Sequence, residues 1–194
     1  MNIIQKPTQN FRVGRIGGYK PEVIVLHIST ASAQSCISWF ADPASQVSSN
    51  YLVGLDGQVY QFVKDEDTAW AQGRVDHPTS KIVISRPGVN PNAFSLSIEH
   101  EGKDLSHGAQ AQLQASANLV ASLCAKWNIP LNRDYVIGHR EIFSLKTCPS
   151  ENLGVIDSII AMAKAINSPV AEPTTAIQVP NSKVQKVLAY LLTI

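Results

Sequence analysis

From residue 138 to residue 149 the chain reads Gly138-His139-Arg140-Glu141-Ile142-Phe143-Ser144-Leu145-Lys146-Thr147-Cys148-Pro149. A single loop therefore carries an imidazole, an amine and a thiol, directly after the short apolar segment Tyr135-Val136-Ile137. A second imidazole, His27, lies in the β-branched run Val23-Ile24-Val25-Leu26-His27-Ile28. Two imidazoles and a thiolate make three zinc ligands and leave the fourth tetrahedral position to water, which is how a catalytic zinc site is built. Each residue alone has a plainer reading. A histidine in a strand or a cysteine in a loop is commonly a satisfied core residue, and a lysine is commonly a solvated charge. The soft thiolate beside two imidazoles suits zinc, but His27 and His139 are far apart in sequence, so spacing alone leaves both readings open. Gly138 permits a tight backbone and a close approach just before His139.

Carboxylates are the next candidates. In Ser95-Leu96-Ser97-Ile98-Glu99-His100-Glu101 strand alternation puts Leu96, Ile98 and His100 on one face and Ser97, Glu99 and Glu101 on the other. Two same-side carboxylates in an apolar pattern are costly unless that face is wet or functional. Either the edge is solvated or a glutamate serves as general base to a water activated by the metal. Lys146 would then stabilise the oxyanion that develops on the attacked carbonyl. His100 points away from Glu99 and reads as a core residue; His77 and His107 sit in loops and read as surface residues.

The elements that must position these groups can be read from periodicity. Residues 23–28 form a buried strand that ends at or just after His27, because Ser29, Thr30 and Ser32 follow. Those small polar residues can cap a helix running through Trp39 and Phe40. Asp56-Gly57 between Tyr51-Leu52-Val53 and Val59-Tyr60-Gln61-Phe62-Val63 is a hairpin signal. Residues 64–93 are loop-rich, with Pro78, Pro87 and Pro91, and a loop of that length usually borders a site. Leu113, Ala117, Val120, Cys124 and Trp127 recur at helical spacing within residues 109–127, and a further helix covers residues 155–166. Strands and helices interleave, so the class is α/β.

Bulk properties narrow the function. The 194 residues carry 16 Lys+Arg against 15 Asp+Glu, a formal net charge of +1, and no basic cluster, which excludes an ordinary nucleic-acid binder. No apolar run approaches the roughly 18 residues needed to span a bilayer. The first residues show neither an apolar signal core nor a cleavage site, which predicts synthesis and folding in the cytoplasm. Three cysteines, Cys36, Cys124 and Cys148, cannot all pair, so no disulfide framework is expected; Cys36 and Cys124 read as core. Residues 1–166 are expected to form the catalytic domain, 167–180 a proline-containing linker, and 181–194 an amphipathic helix striped by Val184, Val187, Leu188, Leu191 and Leu192.

Five ordered blocks within residues 10–166 resemble the zinc-dependent N-acetylmuramoyl-L-alanine amidases of the type 2 amidase family, which includes phage lysozyme-amidases, cytosolic wall-recycling amidases and peptidoglycan recognition proteins. Val25-Leu26-His27-Ile28-Ser29 resembles the first ligand strand. Residues 47–53 with Asp56-Gly57-Gln58-Val59-Tyr60-Gln61 resemble the family hairpin, and Ala69-Trp70 its Ala-Trp-His-Ala-Gly segment. Residues 94–102 resemble its Ser-Ile-Gly-Ile-Glu strand, and Ile137-Gly138-His139-Arg140 with Lys146-Thr147-Cys148-Pro149 its closing ligand loop.

The resemblance implies a central mixed β-sheet flanked by α-helices, with one zinc ion in a groove on one sheet face held by His27, His139 and Cys148. It implies Lys146 as the catalytic lysine and Glu99 as the catalytic glutamate. Some members use a tyrosine at the start of the hairpin strand, but Ser49 stands there in this chain. Asn50 and Trp70 are expected in the groove, and Arg86 is expected to pair with a stem-peptide carboxylate. The implied reaction is hydrolysis of the amide joining N-acetylmuramic acid to L-alanine, with peptidoglycan or a muropeptide as substrate. A phage-type endolysin is the first reading. A cytosolic recycling amidase and a non-catalytic recognition protein are the alternatives, and retention of Cys148 favours catalysis. Ala71, Asn50 and Ser150 depart from the pattern at positions where histidine, histidine and glycine are usual.

Overall fold

The structure is a computed structural model, which describes residues 1–167. The linker and terminal helix expected at 167–180 and 181–194 lie outside the described residues, apart from the backbone of Asn167. In chain order the elements are β1 (Ile3–Gln5), β2 (Phe11–Arg12), β3 (Val23–Leu26), α1 (Ala33–Ala41), β4 (Tyr51–Val53), β5 (Val59–Gln61), β6 (Thr68–Ala69), α2 (Lys81–Ile84), β7 (Ser95–His100), α3 (Gln110–Trp127), β8 (Val136–Gly138) and α4 (Gly154–Asn167). Six strands make one sheet in the order β1-β5-β4-β7-β3-β8, and β2 pairs with β6 separately. Every pairing in the large sheet is parallel except the β4–β5 hairpin.

Local chemistry explains the main boundaries. The Ser32 hydroxyl accepts the Ser35 amide at 3.2 Å and starts α1. Gly57 turns the hairpin at φ 82°, and a Cβ there would lie 2.9 Å from the Ala111 carbonyl oxygen. Asn128 ends α3 in the left-handed region at φ 54°. The short strands β1, β2 and β6 have only two or three residues, too few to set up a periodic signal. Within the loop-rich stretch the chain forms β6 and the single-turn α2.

Alternation on β3 and β7 sorts side chains between two cores. Ile24, Leu26, Leu96 and Ile98 pack under α3 and α4 with Leu119, Val120 and Ile156. Val23, Val25 and Ile137 face the opposite side with Ile82, Val83 and Phe94. Leu52 and Phe62 meet Cys36 and Phe40 of α1 on that second side. Full burial of an aliphatic side chain contributes about 1.5–3 kcal/mol, so these two layers fix the register firmly. Among the described residues no helix is long and apolar enough to cross a membrane.

Candidate metal centre

Register alone brings the site together. Leu26 pairs with Ile98 on β7 and with Gly138 on β8. The next residue on each of these parallel strands is His27, Glu99 or His139. All three emerge at carboxyl ends of neighbouring strands, where open α/β sheets place their ligands. Alternation turns His27 and Glu99 away from α3, toward the α1 side. The His27 and His139 rings lie 4.5 Å apart between centroids. Cys148 reaches them from the loop after β8, where its sulfur accepts the Ile28 amide at 3.2 Å. One donor atom each from His27, His139 and Cys148 lie within 4.8 Å of one another. Tetrahedral ligation at ~2.0–2.3 Å separates donors by roughly 3.3–3.8 Å, so a small closure suffices for them to share one ion.

The protonation states suit that role. Burial holds the His27 imidazole well below its ordinary value, reinforced by charge on His139 and His100. Burial brings His139 down to about 4, against the opposing effect of its hydrogen bond to Gln72. Both rings are therefore neutral near pH 7, with a lone pair available to a metal. Burial pushes the Cys148 thiol up to about 12, and Glu99 adds to the rise. A cation between these three groups stabilises the thiolate and reverses that shift.

Glu99 Oε1 is 3.9 Å from His27 Nδ1, and 16% of the Glu99 side chain is exposed. Its Oε2 is buried without a partner. Burial raises its carboxyl to about 8, and positive charge at the triad would oppose the rise. Glu101, one residue past the end of β7, instead accepts the Leu55 amide at 2.9 Å, away from the triad. Lys146 is exposed on the wall of the triad's cavity, with Nζ 5.9 Å from the Phe143 ring centroid. Its charge contributes to lowering His139.

The triad lies in a cavity of about 410 Å³, which Thr30, Lys103 and Lys146 also line. A second cavity of about 480 Å³ shares Ile28, Ala71 and Glu99 with it and is walled by Trp39, Phe40 and Trp70. The two form one cleft, with a polar arm at the triad and an apolar arm against α1. Trp39 is 57% exposed and Trp70 37%.

Two expected substrate contacts lie elsewhere. Asn50 is fully buried. Its Oδ1 accepts the Ser97 amide at 3.0 Å and its Nδ2 donates to the Lys64 carbonyl at 3.3 Å, so it ties β4 to β7 rather than facing a ligand. Arg86 pairs with Glu22 and sits 4.7 Å from the Phe94 ring centroid; it lines neither arm of the cleft. His100 is satisfied in the core, with Nδ1 at 2.8 Å from the His27 carbonyl oxygen and Nε2 at 2.9 Å from Ser116 Oγ. Cys36 and Cys124 are buried, while His77 and His107 are exposed.

Trp39 and Gln72 belong to the site without standing out in the sequence pattern. Adjacent residues on a helix point about 100° apart, so with Phe40 in the core Trp39 falls toward the edge of the buried face, and that is the available signal for Trp39. Gln72 carries no pattern signal; only the packing shows its fully buried side chain beside the histidines.

Residues 17–151 match the family model described as N-acetylmuramoyl-L-alanine amidase, Amidase_2. N-acetylmuramoyl-L-alanine amidase A of Achromobacter lyticus is 32% identical over 106 residues, covering 53% of this chain and 51% of that protein. The chain thus spans about half the length of that relative. A mutant endolysin from Bacillus subtilis superposes with a TM-score of 0.62 at 25% identity, covering 84% of this chain and 99% of the other. A selenomethionine derivative of AmpD shares the fold, with a TM-score of 0.65 at 22% identity over 81% of this chain and 93% of the other.

Proposed function

Since the chain belongs to the N-acetylmuramoyl-L-alanine amidase family Amidase_2, we propose that it is a zinc-dependent peptidoglycan hydrolase. It cuts the amide between the lactyl group of N-acetylmuramic acid and L-alanine. The observation that carries this reading is the convergence of His27, His139 and Cys148 beside Glu99 in an open cleft. Two neutral imidazoles and one thiol fit zinc, and three protein ligands leave a position open for chemistry. When bound, the ion supplies Lewis acidity that polarises the scissile carbonyl and acidifies a water.

The chain's own groups do the rest. His27 and His139 each hold the ion through one ring nitrogen, and Cys148 through Sγ after loss of its proton. Glu99 takes a proton from the attacking water at a carboxylate oxygen and returns it to the departing alanine nitrogen. Lys146 sets a positive charge near the oxygen on which negative charge develops. Trp39 and Trp70 offer aromatic faces to the apolar face of a sugar ring, so the apolar arm takes the glycan and the polar arm the peptide.

Among the roles open to such an enzyme, wall lysis of the endolysin kind is supported by the likeness to the Bacillus subtilis endolysin. Recycling of soluble muropeptides is the alternative, and a binding-only role is disfavoured by the complete ligand set. The test is product analysis on purified sacculi and on soluble muropeptides, with and without a zinc chelator. New L-alanine amino termini that vanish on chelation are expected. New reducing sugar ends, or unchanged cutting by metal-free protein, would overturn the reading. Faster turnover of the soluble fragments than of sacculi would replace lysis with recycling.

A further inference from the structure

Besides Glu99 Oε2, two buried polar atoms at the triad lack a hydrogen-bond partner: His27 Nε2 and Gln72 Oε1. His27 Nδ1 is the ring nitrogen near Glu99, and Glu99 lines the cleft. The Nδ1 edge of the ring is therefore the cleft edge, and Nε2 points into the protein. The His27 ring lies 4.5 Å from the His139 ring, which Gln72 contacts. The fully buried Gln72 thus brings an unsatisfied acceptor oxygen to a pair of rings of which one nitrogen lacks a partner.

The same residue serves the second histidine through its backbone. The Gln72 carbonyl oxygen lies 3.1 Å from His139 Nε2. A carbonyl only accepts, so that nitrogen carries the proton and His139 Nδ1 is the one left for a ligand. Gln72 is itself pinned. Its amide donates to Asn92 Oδ1 at 2.9 Å, its side-chain Nε2 donates to Ser95 Oγ at 3.1 Å, and the whole residue is buried. One immobile residue therefore presents two acceptors, one to each imidazole.

We infer that Gln72 is the positioning residue of the metal centre. Its side-chain oxygen and its carbonyl oxygen fix His27 and His139 as Nε2–H tautomers, leaving both Nδ1 atoms for the ion. Outer partners of this kind set ring orientation and ligand basicity, and their loss typically costs ~10–100-fold in metal affinity. The inference rests on the zinc reading above for its metal, but not for its tautomers.

The experiment uses the full chain. Gln72→Met keeps the length of the side chain and the backbone carbonyl but removes the acceptor at Oε1. Gln72→Glu keeps an acceptor there while losing the donor to Ser95. Competition with a chromophoric chelator, using Zn²⁺ alone, reads affinity. Gln72→Met is expected to bind ~10–100-fold more weakly, and Gln72→Glu to retain binding. Wild-type affinity in Gln72→Met, or equal losses in both variants, would overturn the inference. Long-range ¹⁵N–¹H spectra of the metal-free wild type near pH 7 test it without any variant. Both rings are expected as Nε2–H, and a proton on His27 Nδ1 would overturn it. A wild-type protein that takes up no zinc would defeat the metal reading, while the tautomer spectra would still decide the role of Gln72.

Discussion

Replacing Gly138 by alanine tests whether the sheet and the metal loop are mechanically coupled. An ideal Cβ at this position would lie 2.7 Å from Pro149 Cδ, 3.2 Å from Leu153 Cδ2 and 3.3 Å from Ile156 Cδ1. Carbon atoms rest at ~3.5–4.0 Å, so the proline ring must retreat by roughly an ångström. It is not free to do so. The Pro149 carbonyl accepts the Leu105 amide at 3.0 Å, and the Cys148 carbonyl accepts the Arg140 amide at 2.8 Å. Backbone strain plays no part, since φ −95° and ψ 154° are open to alanine. Overpacking of this kind costs about 1–3 kcal/mol, offset by about 0.4–1 kcal/mol because alanine restricts the unfolded chain. A net loss of about 1–2 kcal/mol lowers Tm by about 2–8 °C for a domain of this size. The functional consequence is larger. Gly138 adjoins His139 and Pro149 adjoins Cys148, so the added methyl forces the two proposed ligands apart. Sites tolerate only ~0.5 Å of such displacement, and zinc affinity is expected to fall at least about tenfold, near 1.4 kcal/mol. Thermal melts of metal-free protein and a zinc competition titration measure both effects. Wild-type values in both would show that the loop yields freely. A lowered Tm with unchanged affinity would refute the coupling.

Three further outcomes are expected. Glu99→Gln keeps zinc but loses the proton acceptor, so kcat should drop by about 10²–10⁴-fold; turnover near wild type would remove Glu99 from the chemistry. Trp39→Ala should raise KM for glycan-bearing substrate with little change in kcat, because the proposed function puts Trp39 against the glycan on the apolar arm and not at the reacting carbonyl; an unaffected KM would leave that wall without a role. Metal-free protein should also lose stability steeply in mild acid. Burial holds His27 well below its ordinary value and brings His100 and His139 to about 4, so the unfolded chain binds more protons once the pH falls below ~6.5. Glu99, raised to about 8, opposes this with one proton bound by the folded state. The net uptake on unfolding grows from about half a proton at pH ~6.5 to about two below pH ~5.5, so the slope steepens to ~2–3 kcal/mol per pH unit and holds to pH ~4.5. Denaturant melts across that window measure it, and a flat profile would contradict the buried neutral imidazoles.

Much of the site is written in residue types and in parity. The β-branched run before His27 declares a buried strand, and Ser29, Thr30 and Ser32 declare its end. Alternation along β7 places Glu99 opposite His100 without coordinates. Gly138 announced a close approach, and Pro149 is what approaches it. Pro149 disfavours a regular helix or strand over residues 146–149, and a lysine near a cysteine in that loop marks it for chemistry.

The linear pattern of residue types carries the inventory: which strands are buried, which face each side chain takes, and which groups could bind a metal or move a proton. These follow from nearest-neighbour periodicities of two and 3.6 residues, which are local and legible. Long-range pairing and packing set who meets whom. The pairing of Leu26 with both Ile98 and Gly138 sets His27 between Glu99 and His139. Asn50 is drawn into the sheet and Arg86 to Glu22, away from the cleft. Gln72, silent in any pattern, is placed against two imidazoles. Such contacts join residues tens of positions apart, and the free energy that selects them comes from burying whole faces of the sheet, which no local run of residues encodes.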